Sequence, residues 1–435
     1  MSLARCLRYN SPMRHYLGAL VAVVILAIPW SIYTYPDSAA SFLSSFGGVG
    51  DQIAAIIISH NAKTLAEIQS HYYPSPTSLP GQHKVRILLV PGHEPDYGGA
   101  EYSNLKERNM TVEIADDLKE FLQNNGRFQV YVTRDTASWD PLFTNYFKDN
   151  WNNIQEWIDA NKADFNHLVN LGQFHPIIPS PFHNSAPKNV AMRLYGIEKW
   201  ANENNIDIIL HLHFNDYPGH SLSSPGEYSG FTIYVPQNQY YNATTTHVLA
   251  GFIKKRLEKF NPVSDLPQES KGVVEDSDLI AVGAYNSVDA ASMLVEYGYI
   301  YESQFTNPTL RSQAIRDMAF QTYLGLQDFF DPRSVTSTSN SLDTLIMPHL
   351  WNEAMVGNSA PASEVFALQT ALLINGSYPP GNKSKNDCPR TGTIGPCTRE
   401  ALRAFQNKYG ITGEDGTAGQ KTIQMLNQLY SGRKI

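Results

Sequence analysis

Cysteine is scarce in this chain: three in 435 residues. None stands at zinc-finger spacing from a histidine, so no structural zinc site built on thiolates is expected. Cys6 lies before an apolar run, on the side expected to be cytoplasmic. Cys388 and Cys397 flank a glycine turn near the C-terminus, and an oxidising exterior would let them close a short loop. Basic charge is also short. The 33 Lys and Arg face 41 Asp and Glu, a formal net charge of -8, and the pI is near 5.9. That balance argues against nucleic acid as a partner.

Charge is missing altogether from Tyr16 to Pro36, a stretch long enough to cross a bilayer. Arg5, Arg8 and Arg14 precede it and Asp37 follows. The positive-inside rule then puts the N-terminus in the cytoplasm and everything after Asp37 outside. Residues 1–36 are thus read as a cytoplasmic tail and single-pass membrane anchor. The rival is a cleaved signal peptide, with Ser38-Ala39-Ala40-Ser41 as the small-residue site and a secreted product. Either reading exports the rest. Residues 37–84 form a spacer. In it Ile53, Ile56, Ile57, Leu65 and Ile68 share a helix face that either packs on the next domain or lies on the membrane. Few basic residues on the polar face favour packing.

What is present begins at Val85-Arg86-Ile87-Leu88-Leu89-Val90, a branched apolar run that stops at Pro91-Gly92 and delivers His93. Such a run reads as a buried strand of a mostly parallel sheet, whose carboxyl end is where ligands sit. Met110, Ile114, Leu118, Phe121 and Leu122 recur at helical spacing, so Glu107 falls in that helix's first turn. Ile206 to Leu212 is a second strand, leading into His213. Ser292 to Val295 is a third, leading into Glu296. Two histidines and a glutamate would hold a zinc ion with one tetrahedral position open for water, and a further glutamate beside it is a ready general base.

Seven short motifs follow in one order: Pro91-Gly92-His93, Gly99-Ala100, Leu105-Lys106-Glu107, Val132-Thr133-Arg134, Leu212-His213-Phe214-Asn215, Gly230-Phe231-Thr232-Ile233-Tyr234 and Val295-Glu296-Tyr297-Gly298. On them, from about Val85 to Phe330, the chain resembles the zinc-dependent N-acetylmuramoyl-L-alanine amidases of bacterial cell-wall metabolism. The resemblance implies Zn2+ on His93, Glu107 and His213, with Glu296 as the catalytic carboxylate. It implies hydrolysis of the amide between N-acetylmuramic acid and L-alanine in peptidoglycan. Two positions depart from the family pattern. Val90 stands where an acidic residue is usual, and Glu94 where a glycine is usual. They motivate one alternative, a non-catalytic wall-anchoring or sensing protein on the same fold. A second, a zinc peptidase acting on the stem peptide, stays open because it uses similar zinc chemistry.

The expected architecture is α/β, a twisted and mostly parallel sheet flanked by helices over residues 85–332. An aromatic insertion interrupts it at about 138–187. Trp139, Phe143, Phe147, Trp151, Trp157 and Phe165 there suit either a lid or sugar-stacking platform over the metal site, or an extra helical layer. His167, His175 and His183 have no paired spacing and are left out of the metal site. His211 shares a strand face with His213 and is read as supporting or packing. Residues 333–358 have linker character in their Ser/Thr-rich start.

Residues 359–432 form a small three-helix domain with an internal repeat. Gly392-Thr393-Ile394-Gly395, then Thr398 and Leu402, recurs as Gly416-Thr417-Ala418-Gly419, then Thr422 and Leu426. Gln369 and Gln406 sit in the helices before the turns. This segment resembles the peptidoglycan-binding domain often joined to wall hydrolases. An acidic chain suits electrostatic capture by an anionic polymer poorly, so wall binding would need specific contacts.

Overall fold

The computed structural model describes residues 62–73, 84–177, 186–331, 343–355 and 360–432. The expected anchor, 1–36, and most of the spacer lie outside the described residues. Among those described, no helix is long and apolar enough to cross a membrane. All of them belong to one compact unit, His60–Ile435.

Six strands form the main sheet. They are β1 (Val85–Pro91), β4 (Phe128–Val132), β5 (Ile208–Asn215), β6 (Thr232–Pro236), β7 (Val273–Asp276) and β8 (Ala291–Tyr299), in the order β4-β1-β5-β8-β6-β7. Every pairing is parallel except β6 with β8. The short β2 (Glu101–Tyr102) and β3 (Leu105–Lys106) make a separate hairpin. A parallel sheet needs helices on both faces, and that is why β1, β5 and β8 read as continuous apolar runs rather than alternating ones.

On one face lie α2 (Glu107–Asn125), α5 (Ala243–Phe260) and α6 (Pro308–Phe330). Their Met110, Ile114, Leu118, Ile253 and Ile315 pack on Leu89, Leu210 and Val295. The described part of the spacer joins this core. Helix α1 (Leu65–Tyr72) is capped by Thr64, which accepts from Glu67 N. It buries Ile68 and stacks Tyr72 on Phe330, ring centroids 4.5 Å apart. Packing, not a membrane surface, takes the apolar face of these residues.

The other face carries the insertion. Asp140 caps α3 (Pro141–Asn170), accepting from Leu142 N at 2.9 Å. Phe143, Phe147, Ile154 and Ile158 pack against Tyr195 and Trp200 of α4 (Lys188–Glu203), over Leu88, Val90 and Ile209 of the sheet. Of the two readings of the aromatics, the helical layer is the one realised. His167 and His175 are exposed, and His183 lies outside the described residues.

The C-terminal helices are α7 (Ala362–Asn375), α8 (Pro396–Lys408) and α9 (Gln420–Tyr430). The repeat has a physical basis. Gln369 Oε1 accepts from Gly392 N at 3.0 Å while its Nε2 donates to Thr393 O and Thr398 Oγ1. Gln406 repeats this with Gly416 N at 2.8 Å, Thr417 O and Thr422 Oγ1. Each buried glutamine thus satisfies one turn and the start of the next helix. Cys388 and Cys397 form a disulfide, their Cα atoms 5.9 Å apart.

The described part of the expected linker, 343–355, is packed: Ile346, Met347, Trp351 and Met355 are buried with the three helices. Leu310 and Ala314 of α6 share that core. Arg390, held on the disulfide-closed loop, crosses the junction. It donates to Phe260 O at 3.1 Å and Asn261 Oδ1 at 3.2 Å on one side, and to Thr370 Oγ1 at 2.8 Å on the other. Its guanidinium lies 4.6 Å from the Phe366 ring centre. Burial lowers it to about 10, so it is charged at neutral pH. Arg390→Ala leaves these buried acceptors unpaired and should destabilise the chain by about 2–4 kcal/mol. Chemical denaturation of both proteins measures the difference.

Candidate metal centre

Strand β1 ends in the turn Pro91-Gly92-His93. His93 takes a φ of 69°, a left-handed conformation uncommon outside glycine and often kept at functional turns. Arg134, 2% exposed and just past β4, braces this turn. It donates from Nε to Pro91 O at 3.2 Å and from Nη2 to the Gly92 carbonyl. The same Nη2 reaches Arg108 O at 3.0 Å and Thr111 Oγ1 at 3.1 Å. One cation therefore ties the His93 turn to the first turn of α2, where Glu107 sits.

Glu107 opens α2 and is buried. Its Oε2 accepts from Ala100 N at 2.8 Å and its Oε1 from Phe214 N at 3.2 Å. His93 Nε2 lies 2.8 Å from Oε2, and His213 Nδ1 lies 3.0 Å from Oε1. Burial works to raise this carboxyl, but the charge of His93, the hydrogen bond of His213 and the charge of His213 outweigh it. The group is held well below the usual carboxylate range. The two imidazoles meet edge to face, 4.9 Å between centres.

Two glycines make room for this. A Cβ on Gly92 would fall 2.3 Å from His213 Cε1 and 2.5 Å from its Nε2. A Cβ on Gly99 would fall 2.8 Å from His93 Cδ2, and Gly99 also has φ +85°. The His213 ring lies directly on the Gly92 backbone, so any side chain there displaces it.

One ligand atom each from His93, Glu107 and His213 lies within 4.8 Å of the others. Two imidazole nitrogens and a carboxylate are the donor types of an open, hydrolytic zinc site. His93 Nε2 is buried and, although close to Glu107, has no hydrogen bond of proper geometry. An orphaned nitrogen lone pair facing a carboxylate is what a dication would satisfy. The residues fit Zn2+.

Glu296 lies in β8, in register with His213 on β5. It is 8% exposed and its Oε2 has no hydrogen-bond partner. Burial pushes its carboxyl well up, and the nearby charges of Glu107 and Glu269 add to that. All four residues singled out in the sequence therefore converge on the carboxyl ends of β1, β5 and β8.

His211 is not part of the cluster. It is 1% exposed, Cα-paired with Val90, and burial, aided by His213, lowers it to about 3, so it is neutral. Glu94 is not part of it either. Its carboxylate accepts from Arg193 Nε at 2.9 Å and from Trp139 Nε1 at 3.1 Å. Asp216 pairs with His220 at 2.6 Å on the rim.

Glu269 escaped the sequence reading. Fully buried, it gathers Tyr234 OH at 2.6 Å, Asn215 Nδ2 at 3.0 Å, Tyr299 OH at 3.1 Å and the Ser264 hydroxyl. It secures Asn215 where the β5–β8 register shifts just past His213. Its neighbours Pro267, Gln268 and Ser270 mark an ordinary loop, and no local pattern betrays it.

Two family descriptions match parts of this chain. The family described as N-acetylmuramoyl-L-alanine amidase matches residues 87–328. The family described as a peptidoglycan binding domain matches residues 361–426. Similar solved structures include the CwlD amidase from Clostridioides difficile in complex with the GerS lipoprotein. That pair shows 15% identity, covers 57% of this chain and 100% of that one, and has a TM-score of 0.38. The amidase Ami1 from Mycobacterium smegmatis shows 13% identity over 57% of this chain and 98% of that one, TM-score 0.38. The amidase AmiC2 of Nostoc punctiforme shows 15% identity over 57% and 98%, TM-score 0.35. No curated protein matches the chain.

The close contact at Gly92 generates a test. Gly92→Ala should leave a folded protein whose zinc affinity is lower by roughly 10- to 100-fold, the range seen when ligand support is disturbed. Competition with a chromogenic chelator measures it, and unchanged affinity would show that His213 does not hold the metal.

Proposed function

The chain belongs to the N-acetylmuramoyl-L-alanine amidase family, and from that membership we propose a zinc-dependent hydrolase of peptidoglycan. It cuts the amide between the lactyl group of N-acetylmuramic acid and the L-alanine of the stem peptide. The observation that carries this reading is the His93–Glu107–His213 cluster with Glu296 in register beside it. Zinc held by those three residues supplies Lewis acidity for the carbonyl oxygen and a lowered pKa for water. Glu296 takes the proton of the attacking water and returns it to the departing alanine nitrogen. The products are a lactyl carboxylate and a free alanine amine. A raised carboxyl is the direction such a group needs if it must hold a proton near neutral pH between the two transfers.

The chain's own residues keep the rest in order. Arg134 holds the His93 turn against α2, and Glu107 ties both histidines together. Glu94, the extra carboxylate of the sequence, is engaged by Arg193 and Trp139, which supports catalysis over a purely anchoring role. The terminal domain would retain the enzyme on the wall through specific contacts. Residues 1–36 would tether it to the membrane with the catalytic region outside, or be removed to release it. The Cys388–Cys397 disulfide supports an oxidising exterior.

Digestion of purified peptidoglycan, followed by mass analysis, tests the reaction. Free L-alanine amino termini on intact glycan strands are expected. Cuts within the stem peptide would assign a zinc peptidase instead, and an unchanged polymer a non-catalytic protein. Removal of metal with a chelator should abolish turnover, and added Zn2+ should restore it. Glu296→Gln keeps shape and loses the basic lone pair. Its turnover should fall by roughly 10² to 10⁴ while zinc content stays the same. Loss of zinc in that variant would make Glu296 a ligand, and unchanged turnover would remove it from catalysis.

A further inference from the structure

The insertion builds more than a layer over the sheet. Between the second half of α3, the end of α4 and the loop into β8 lies a cavity of about 320 Å³. Trp157 and Tyr241 give it aromatic walls, and Asn161, Asn202, Glu203 and Asp289 give it polar ones. It is remote from the metal centre. Asp289 precedes β8 at its amino end, whereas Glu296 lies toward the other end, about 20 Å away at roughly 3.3 Å per residue.

Several of the polar groups are already committed. Glu203 accepts from Tyr146 OH at 2.6 Å and pairs with Lys199. Asn202 donates to Ser287 O at 2.8 Å and accepts from Asp289 N at 3.0 Å. Asn161 Nδ2 donates to Trp157 O at 2.8 Å. Three groups make no side-chain hydrogen bond among the described residues: the Asp289 carboxylate, which has the charge of Lys63 near it, the Asn161 side-chain oxygen and the Trp157 indole N–H. The cavity therefore offers two aromatic surfaces, two acceptors and one donor.

That set selects among ligands. An organic cation would suit the carboxylate and the rings, but it brings no acceptor for the indole N–H. A pyranose answers every feature. Its C–H face covers an aromatic ring, its hydroxyls donate to Asp289 and Asn161, and a ring or acetamido oxygen accepts from Trp157. The volume is at the lower end of small-ligand sites, roughly 300–1,000 Å³, room for one sugar residue. Glu203 at the edge is exposed, so a chain of sugars could continue outward.

We propose that this cavity is a saccharide site that takes one N-acetylhexosamine residue of a glycan strand, apart from both the metal centre and the terminal domain. The identity of the glycan rests on the proposed wall function; the saccharide class rests on the cavity itself. Bound there, a strand would be gripped near the amino ends of the sheet strands, away from the carboxyl ends where hydrolysis takes place.

The probe is tetra-N-acetylchitotetraose, titrated calorimetrically into the full chain. Saturable binding is expected, with Asp289→Asn and Trp157→Ala each weakening it by roughly tenfold or more. Trp157→Phe keeps the stacking face and loses the N–H, and should fall between the two extremes. If Trp157→Ala does not fold, Asp289→Asn and Trp157→Phe carry the comparison. Turnover of a small soluble muropeptide should be the same in all of them, since neither residue touches the metal centre. Absence of binding overturns the proposal. So does equal affinity in every variant, which would put the sugar on the terminal domain. Tighter binding of cadaverine than of the sugar overturns it as well, by making the cavity an amine site. A chain that binds through these residues yet hydrolyses nothing would sink the proposed reaction and leave the saccharide site standing.

Discussion

A carboxylate taken out of water between two imidazoles is the constraint on which the catalytic end is built. Burying such a charge costs several kcal/mol unless its lone pairs are met. Glu107 is met on all sides, by the amides of Ala100 and Phe214 and by His93 and His213. These four partners come from three segments, so the loop leading into the hairpin before α2, the turn after β1 and the end of β5 are held at one point. Gly92 and Gly99 are bare because the imidazoles occupy the space of their Cβ atoms. Arg134 is buried because three carbonyls of the same corner face it, together with the Thr111 hydroxyl. Hydrogen bonds from Ala100, Phe214 and His213 thus fix Glu107 before any ion binds, while His93 Nε2 stays unpaired.

A second buried charge does similar work at the other end. Arg390 reaches from a disulfide-closed loop to the C-terminal end of α5, where it meets a carbonyl and an amide oxygen, and it also donates to the Thr370 hydroxyl of α7. Together with Leu310 and Ala314 it makes the terminal helices continuous with the catalytic core. Within the terminal helices, two glutamines perform the same turn-and-helix bonding twice. A repeat visible as spaced glycines and threonines is, physically, a repeat of one side chain's three hydrogen bonds.

The two departures from the family pattern share a cause. Val90 faces Phe143, Phe147 and Trp200, in a core that the insertion creates. An apolar residue suits that place. Glu94 accepts from Trp139, at the start of the insertion, and from Arg193 on the helix that packs against it. Both substitutions adapt the site's surroundings to the extra layer and leave the His93–Glu107–His213 cluster intact.

Much was legible in the linear chain. Apolar runs that end in histidine or glutamate declare buried strands with chemistry at their carboxyl ends, because parallel strands hide both faces. The 3.6-residue spacing of Met110, Ile114, Leu118 and Leu122 declares α2 and sets Glu107 at its start, since one face of a helix must be covered. The Gly-Thr repeat declares the terminal helices for the same local reason. Pairing across the sheet has no local code. Only the fold decided that His213 and Glu296 are neighbours in register, that Glu94 turns toward Arg193, and that Glu269 is buried among Asn215, Tyr234 and Tyr299. Only the fold decided that the insertion forms a layer with a cavity at its far end and that Arg390 locks the last domain to the first. Local spacing specifies which face of a segment is apolar. Which distant segment covers that face, and which polar group is left to answer a buried charge, depends on contacts between residues a hundred or more positions apart.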